Sequence, residues 1–205
     1  MSKSDMKIEE FAEAVEHIPD EELFPVAPAD VKLTVAPDSF TESNAFIKGP
    51  GLTSYESVRG SDFIPTGMLA ETLTMEALAK SPHPNIITYL GCHVKRGRIT
   101  AIVLEDLDKT LMDLYNEPNF GTVDKKKLFA QLESAINHLH SLGMAHNDIN
   151  PHNIMIKDSA PILIDFGSCQ LYGKRLQSLG SPGWSEGIFY TSEKSHDDYS
   201  INKVK

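Results

Sequence analysis

Residues 146–153 read His146-Asn147-Asp148-Ile149-Asn150-Pro151-His152-Asn153, and a short apolar stretch later the chain reaches Asp165-Phe166-Gly167. Between them, Ile154-Met155-Ile156 and Ile162-Leu163-Ile164 are two short β-type runs on either side of a turn. Asp148 and Asn153 stand five apart in one loop, and Asp165 follows twelve residues later at a strand end. This plan lets one carboxylate face a hydroxyl while an amide oxygen and a second carboxylate share a divalent cation such as magnesium. Phosphoryl transfer asks for those parts and a cation on the phosphates, because it leaves the protein little covalent work. At average residue usage such a set arises by chance in on the order of 10⁻⁵ of chains this long.

The whole chain is compatible with that chemistry. At 205 residues, 40% hydrophobic and 8% aromatic, it can bury one good core or two small lobes. Its 29 acidic against 19 basic side chains give a net charge of −10, which argues against a nucleic-acid or anionic-membrane partner but not against a small anion held locally. Cys92 and Cys169 form no Cys-x-x-Cys pair and read as reduced, buried thiols. Residues 1–30 mix Glu and Asp into the apolar positions, and no later apolar run approaches the ~18 residues of a membrane span. A soluble, cytoplasmic protein is expected, and a nuclear location is compatible with the same composition.

Outward from the motif, apolar periodicity marks the elements. Leu128, Leu132, Ile136 and Leu139 form one stripe of a helix over Asp124–Leu142, with Gly143 placed to cap it. Ile86–Cys92 and Ile99–Leu104 are β-type runs joined by Lys95-Arg96-Gly97-Arg98, a hairpin signal. A helix is predicted from about Pro65 to Lys80, and residues 49–63 read as a Gly- and Ser-rich loop. Val31–Val35 and Asn44–Lys48 read as short strands on either side of a polar turn. Ile8, Phe11, Val15 and Ile18 give residues 5–18 the pattern of an amphipathic helix. Beyond Ile164 the chain reads as mostly irregular.

From about Ala45 to Ser200 the chain resembles the eukaryotic protein kinase family in family order, most strongly at 83–92, 142–167 and 180–200. The resemblance implies an α+β, protein-kinase-like two-lobed fold: an extension over 1–25, a small β-rich N-lobe and hinge over 26–106, and a truncated helical C-lobe over 107–205. It makes Asp148 the catalytic base, with Asn153 and Asp165 as metal ligands. Ala45-Phe46-Ile47-Lys48 is similar to the family's Val-Ala-Ile-Lys strand, so Lys48 would hold the α- and β-phosphates and Glu71 would pair with it. The competitor for that pairing is Glu76, whose plain reading is a solvated helix face. In the hinge Val103–Leu107, Leu104 would be the gatekeeper, and the main chain of Glu105 and Leu107 would bond adenine. Met155 would complete the nucleotide-binding set. His146, Phe166, Met75 and Tyr89 would stack as a spine, Gly180-Ser181-Pro182 would meet the substrate hydroxyl region, and Asp197 would brace the catalytic loop.

Four departures from the family pattern bear on activity. No glycine lies between Val31 and Lys48, where the family lays a glycine loop over the phosphates. Asn147 replaces an arginine that pairs with a phosphorylated segment in many members. Asn150 stands where Ser/Thr kinases usually place a lysine; its amide can orient a phosphate but cannot neutralise it. Ala-Pro-Glu is absent after Trp184, and Lys205 falls where the family's central helix begins. The wording His-Asn-Asp-Ile-Asn-Pro is similar to small kinase-like proteins of fungal type. Three functions stay open: a Ser/Thr protein kinase using ATP and magnesium, a pseudokinase that binds nucleotide or protein, and a small-molecule kinase. The expected partners are ATP and a protein substrate or binding partner; the helix at 5–18 would cap an exposed apolar face, within one chain or across a homo-oligomer.

Overall fold

A computed structural model describes residues 17–118 and 120–205. The expected helix over 5–18, and the homo-oligomer built on it, fall almost wholly outside the described residues. Past them comes a short helix, α1 (Asp20–Leu23), followed by strand β1 (Phe46–Lys48), helix α2 (Tyr55–Val58) and helix α3 (Phe63–Ala79). Residues 49–63 were expected as loop throughout; α2 forms there because Tyr55 is buried and its hydroxyl donates to Glu22 Oε2 at 2.9 Å. Pro65 sits in the first turn of α3, where its missing N–H has no intrahelical partner to lose.

Strands β2 (Tyr89–Lys95) and β3 (Arg98–Leu104) form the predicted hairpin. Its two turn residues, Arg96 and Gly97, have φ of 51° and 73°, the left-handed pair that two-residue hairpins require. The three-stranded sheet has the order β1-β3-β2, all antiparallel, so β1 is an edge strand.

The chain preceding β1 does not pair with it. Val35 instead pairs in parallel with Cys92, on the far edge of β2, where Cys92 donates to Thr34 O at 2.8 Å and receives Ala36 N–H at 2.9 Å. Gly91 permits this approach. A Cβ there, at φ 126°, would lie 2.6 Å from Thr34 O and 2.8 Å from Ala36 N. Ala36 and Phe40 then pack with Ala45, Ile47, Leu90 and Val103 as the chain returns to β1. Thus the residues expected as a strand at 31–35 contribute a single bridge at Val35, in a segment wrapped around the opposite edge of the sheet.

The second half holds β4 (Lys109–Thr110), α4 (Leu111–Tyr115), α5 (Lys125–Ser141), β5 (Met144–Ala145), β6 (Ile154–Lys157), β7 (Ala160–Leu163), β8 (Gln170–Leu171) and α6 (Lys194–Val204). Thr110 and Asp113 close a reciprocal cap on α4, and Asp124 Oδ1 accepts Lys127 N–H at the start of α5. Helix α5 buries the predicted stripe Leu128, Leu132, Ile136 and Leu139. Helix α6 replaces part of the irregular tail that apolar patterning suggested; it buries Asp197 and Ser200 alongside Ile201, so most of its inward face is polar. One apolar core runs from Met75 and Ile102 through Phe166 to Leu132, Leu139 and Ile154, joining the sheet side to the helical side. The result is an α+β kinase-like architecture.

Candidate active site

The loop after β5 is held from beneath by one carboxylate. Asp197, fully buried on α6, accepts His146 N–H at 2.9 Å and Asn147 N–H at 2.8 Å, and it lies 2.9 Å from His140 Nε2. Asn147 sits at φ 63°, a left-handed conformation that asparagine tolerates better than most residues. Its buried Nδ2 reaches Ala145 O, Ser168 O and Ser192 Oγ at 2.8–3.0 Å, and its Oδ1 faces His196 Nδ1 at 3.0 Å. Neutral amide contacts therefore tie the loop to the chain after residue 190, where an arginine would have offered charge.

Asp148 points away from this support. Its Oδ1 accepts Ser181 N–H at 2.6 Å and Asn150 Nδ2 at 3.2 Å; its Oδ2 accepts Asn153 Nδ2 at 2.9 Å and Ser181 Oγ at 3.2 Å. Gly180 makes the Ser181 contact reachable, since a Cβ at 180 would stand 2.6 Å from Asn147 O. Because the amide nitrogen of Asn153 is spent on Asp148, its oxygen is left to face elsewhere. The Ile164 N–H bonds to Asn153 O at 3.0 Å, which carries the β6–β7 pairing one step further and places Asp165 beside the loop.

Lys48 joins the two halves. Its Nζ lies 2.6 Å from Glu71 Oε1 and 2.9 Å from Asp165 Oδ1. Burial pushes the Lys48 ammonium down, but the two carboxylates outweigh it and hold the pKa above the usual lysine value. Burial raises Asp165, and the neighbouring Lys48 charge overcomes that and holds the carboxyl below its usual range. Glu71 is pushed up, first by burial and then by Asp165, against the pull of Lys48. Glu76, the competitor, is neither paired with lysine nor solvated. It is buried, and it accepts Thr34 N–H at 2.6 Å, Thr34 Oγ1 at 2.9 Å and the Tyr89 hydroxyl at 3.0 Å.

Between the halves lies a cavity of about 220 Å³, walled by Phe46, Lys48, Ile87, Leu104, Glu105, Leu107, Met155, Ile164 and Asp165. All five residues expected to contact nucleotide line it. The Glu105 carbonyl and the Leu107 amide have no backbone partner among the described residues. The Glu105 side chain is fixed by Thr88 N–H at 2.9 Å, Thr88 Oγ1 at 2.7 Å and the Lys157 ammonium.

A family profile described as protein kinase domain matches residues 57–192. The chain belongs to the protein kinase family. It is similar to the serine/threonine-protein kinase/endoribonuclease IRE1 of Hypocrea jecorina (strain QM6a), 35% identical over 111 residues, covering 48% of this chain and 9% of that protein. The serine/threonine-protein kinase shk2 of Schizosaccharomyces pombe is 30% identical over 113 residues, 52% of this chain and 19% of the relative. The serine/threonine-protein kinase CHK1 of Saccharomyces cerevisiae is 31% identical over 150 residues, 64% and 28%. The chain thus spans less than a third of the length of each of these relatives.

As a kinase domain it stacks His146 on Phe166 edge to face, with centroids 5.1 Å apart, beside Met75 and Tyr89 in the shared core. Among the described residues lining the cavity, Phe46 is the first in the chain, and the segment before it pairs elsewhere, Val26 with Arg98 and Val35 with Cys92. Sequence reasoning missed Phe46, Ile87 and Ile164 as cavity walls. For Phe46 a signal existed, since it shares a strand face with Lys48 two residues on.

Proposed function

We propose that this chain is an ATP- and magnesium-dependent phosphotransferase acting on Ser or Thr hydroxyls of proteins. The observation that carries the reading is the Lys48 ammonium bridging Glu71 and Asp165 beside a cavity whose hinge offers a carbonyl and an amide without backbone partners among the described residues. Residues 26–106 would supply the nucleotide-facing lobe and hinge, and 107–205 the catalytic loop.

The donor set fits magnesium. Asp165, with its side chain 47% exposed, and the Asn153 amide oxygen offer one carboxylate and one neutral oxygen. Magnesium usually takes only one or two carboxylates from protein and fills its shell with phosphate oxygens and water. No group of three or more His, Cys, Asp or Glu suited to a metal occurs among the described residues, so a metal here would rely on substrate phosphates. When bound, ATP with magnesium supplies the transferable phosphoryl group and neutralises its charge. The chain's own residues do the rest: Lys48 orients phosphate oxygens, Asp148 aligns an incoming hydroxyl and takes its proton, and Asn150 orients that carboxylate.

A pseudokinase is the second reading, favoured by the lack of a glycine between Val31 and Lys48 and by Asn150 where a lysine is usual. Radiolabelled γ-phosphate transfer to generic protein substrates and to small alcohols separates the readings. Turnover that Asp148→Ala and Asp165→Asn both abolish supports the kinase; no turnover, with nucleotide still bound, supports the pseudokinase. Transfer to alcohols alone would make it a small-molecule kinase.

A further inference from the structure

A second apolar pocket, of about 280 Å³, opens on the helical side, away from the nucleotide-facing cavity. Leu111 and Tyr115 of α4, Phe129 of α5, Val204 of α6, and Phe120 and Trp184 from the intervening chain form its walls. Tyr115 is 62% exposed, although its ring meets Phe120 edge to face at 5.1 Å. Two ammonium groups stand over the aromatic walls, Lys125 at 4.5 Å from the centre of the Phe120 ring and Lys203 at 5.7 Å from that of Trp184. Neither has a carboxylate partner among the described residues. The acids nearby on the α4 side, Asp113 and Glu117, are already engaged by Thr110 and Lys109. The pocket therefore suits an apolar stripe edged with carboxylates.

The chain itself carries such a stripe in residues 1–16, outside the described residues. Ile8, Phe11 and Val15 recur at spacings of three and four, among Asp5, Glu9, Glu10, Glu13 and Glu16 and against only Lys3 and Lys7. Chain reach keeps this stripe from the pocket of its own copy. Val15 is three residues from Ile18, a reach of at most about 11 Å. The chain there runs into α1, which packs on α3 and sets Asp20 at 3.5 Å from Arg96 in the β2–β3 turn. The pocket's helices belong to the other side of the core, α4 on β4 and β6, α5 on β5 and β7, and α6 on β5. We propose that residues 5–16 of a second copy of this chain fill the pocket, with Phe11 among the aromatic walls and the glutamates facing Lys125 and Lys203. Exchange in both directions closes a two-fold dimer, because each chain then gives one segment and receives one.

Trp184 is the chain's one tryptophan and stands in the pocket wall, so its emission reads occupancy directly. Sedimentation equilibrium of the full chain over a range of concentrations, with Trp184 emission read on the same samples, tests the proposal in wild type, Phe11→Asp and Tyr115→Asp. Wild type should dimerise, and its emission should move to shorter wavelength as it does. Either variant should weaken association by about tenfold or more, as loss of a buried aromatic contact implies. Mixed together, the two variants should associate more tightly than either alone, since the mixture holds one intact segment and one intact pocket. A wild type that stays monomeric, a dimer indifferent to Phe11→Asp, an emission equal in monomer and dimer, or a mixture no tighter than its parts would each overturn the proposal. A monomer whose emission changes in Phe11→Asp would put the segment in its own chain's pocket, which also overturns the second copy.

Discussion

Ser181 donates its backbone N–H to the Asp148 carboxylate at 2.6 Å, so the proposed base is positioned by the segment 33 residues after it as well as by its own loop. Four donors converge on that carboxylate. Asp148→Ala therefore strands partly buried amide and hydroxyl groups and is expected to cost about 1–3 kcal/mol of stability. Removing the base should also lower phosphate transfer by about 10²–10⁴-fold. Chemical-denaturation midpoints and γ-phosphate transfer measured on the same preparation check both. A drop in transfer with an unchanged midpoint would mean that the four hydrogen bonds contribute nothing to holding the segment.

Glu76 supports a different prediction. Its carboxylate is buried without a cation partner among the described residues and holds Thr34 and Tyr89 at once, so it fastens the wrapped segment to α3. In Glu76→Ala the Thr34 amide and the Tyr89 hydroxyl lose their acceptor, at about 1–3 kcal/mol for the groups left unpaired. Glu76→Gln keeps one oxygen acceptor and should cost less. Amide hydrogen exchange reads this locally: protection of Thr34 and Ala36 should fall in Glu76→Ala while amides of α5 keep theirs. Equal loss across both regions would show that Glu76 acts on the whole fold rather than as a local fastener.

Residues whose placement follows from spacing were legible in the sequence. Asp148, Asn153 and Asp165 lie in one compact loop–hairpin unit, and Glu71 lies on a helix with Met75 one turn on, so local geometry alone brings most of them together. Residues placed by long-range routing were not. The burial of Glu76 depends on where the chain 42 residues earlier passes, and a glutamate on a helix looks solvated until that path is known. The wrapped segment reads as a strand, but alternation gives strand character and names no partner. Helix α6 escaped apolar patterning since it buries Asp197 and Ser200, with the aspartate recompensed by two loop amides and His140. There the family resemblance saw what periodicity could not.

The Lys48–Asp165 contact also fixes a pH signature. Asp165 has its folded-state pKa depressed below 3.8, so its contribution to stability is present above that value and is lost as pH falls through the lower folded pKa. Lys48 has its pKa raised above 10.5, so its contribution is present below 10.5 and is lost as pH climbs through the raised value. Across the neutral range both groups are charged and the bridge is constant. Because the Asp165 side chain is 47% exposed, solvent screening keeps the effect modest. The difference in melting temperature between wild type and Asp165→Asn should therefore stay flat through neutral pH and shift against wild type once the pH drops below about 4. Thermal melts in matched buffers at constant ionic strength, from pH 3 upward, measure that difference. A wild-type advantage that grows as the acid limit is approached has the opposite sign, and it would mean that Asp165 is not held ionised by Lys48.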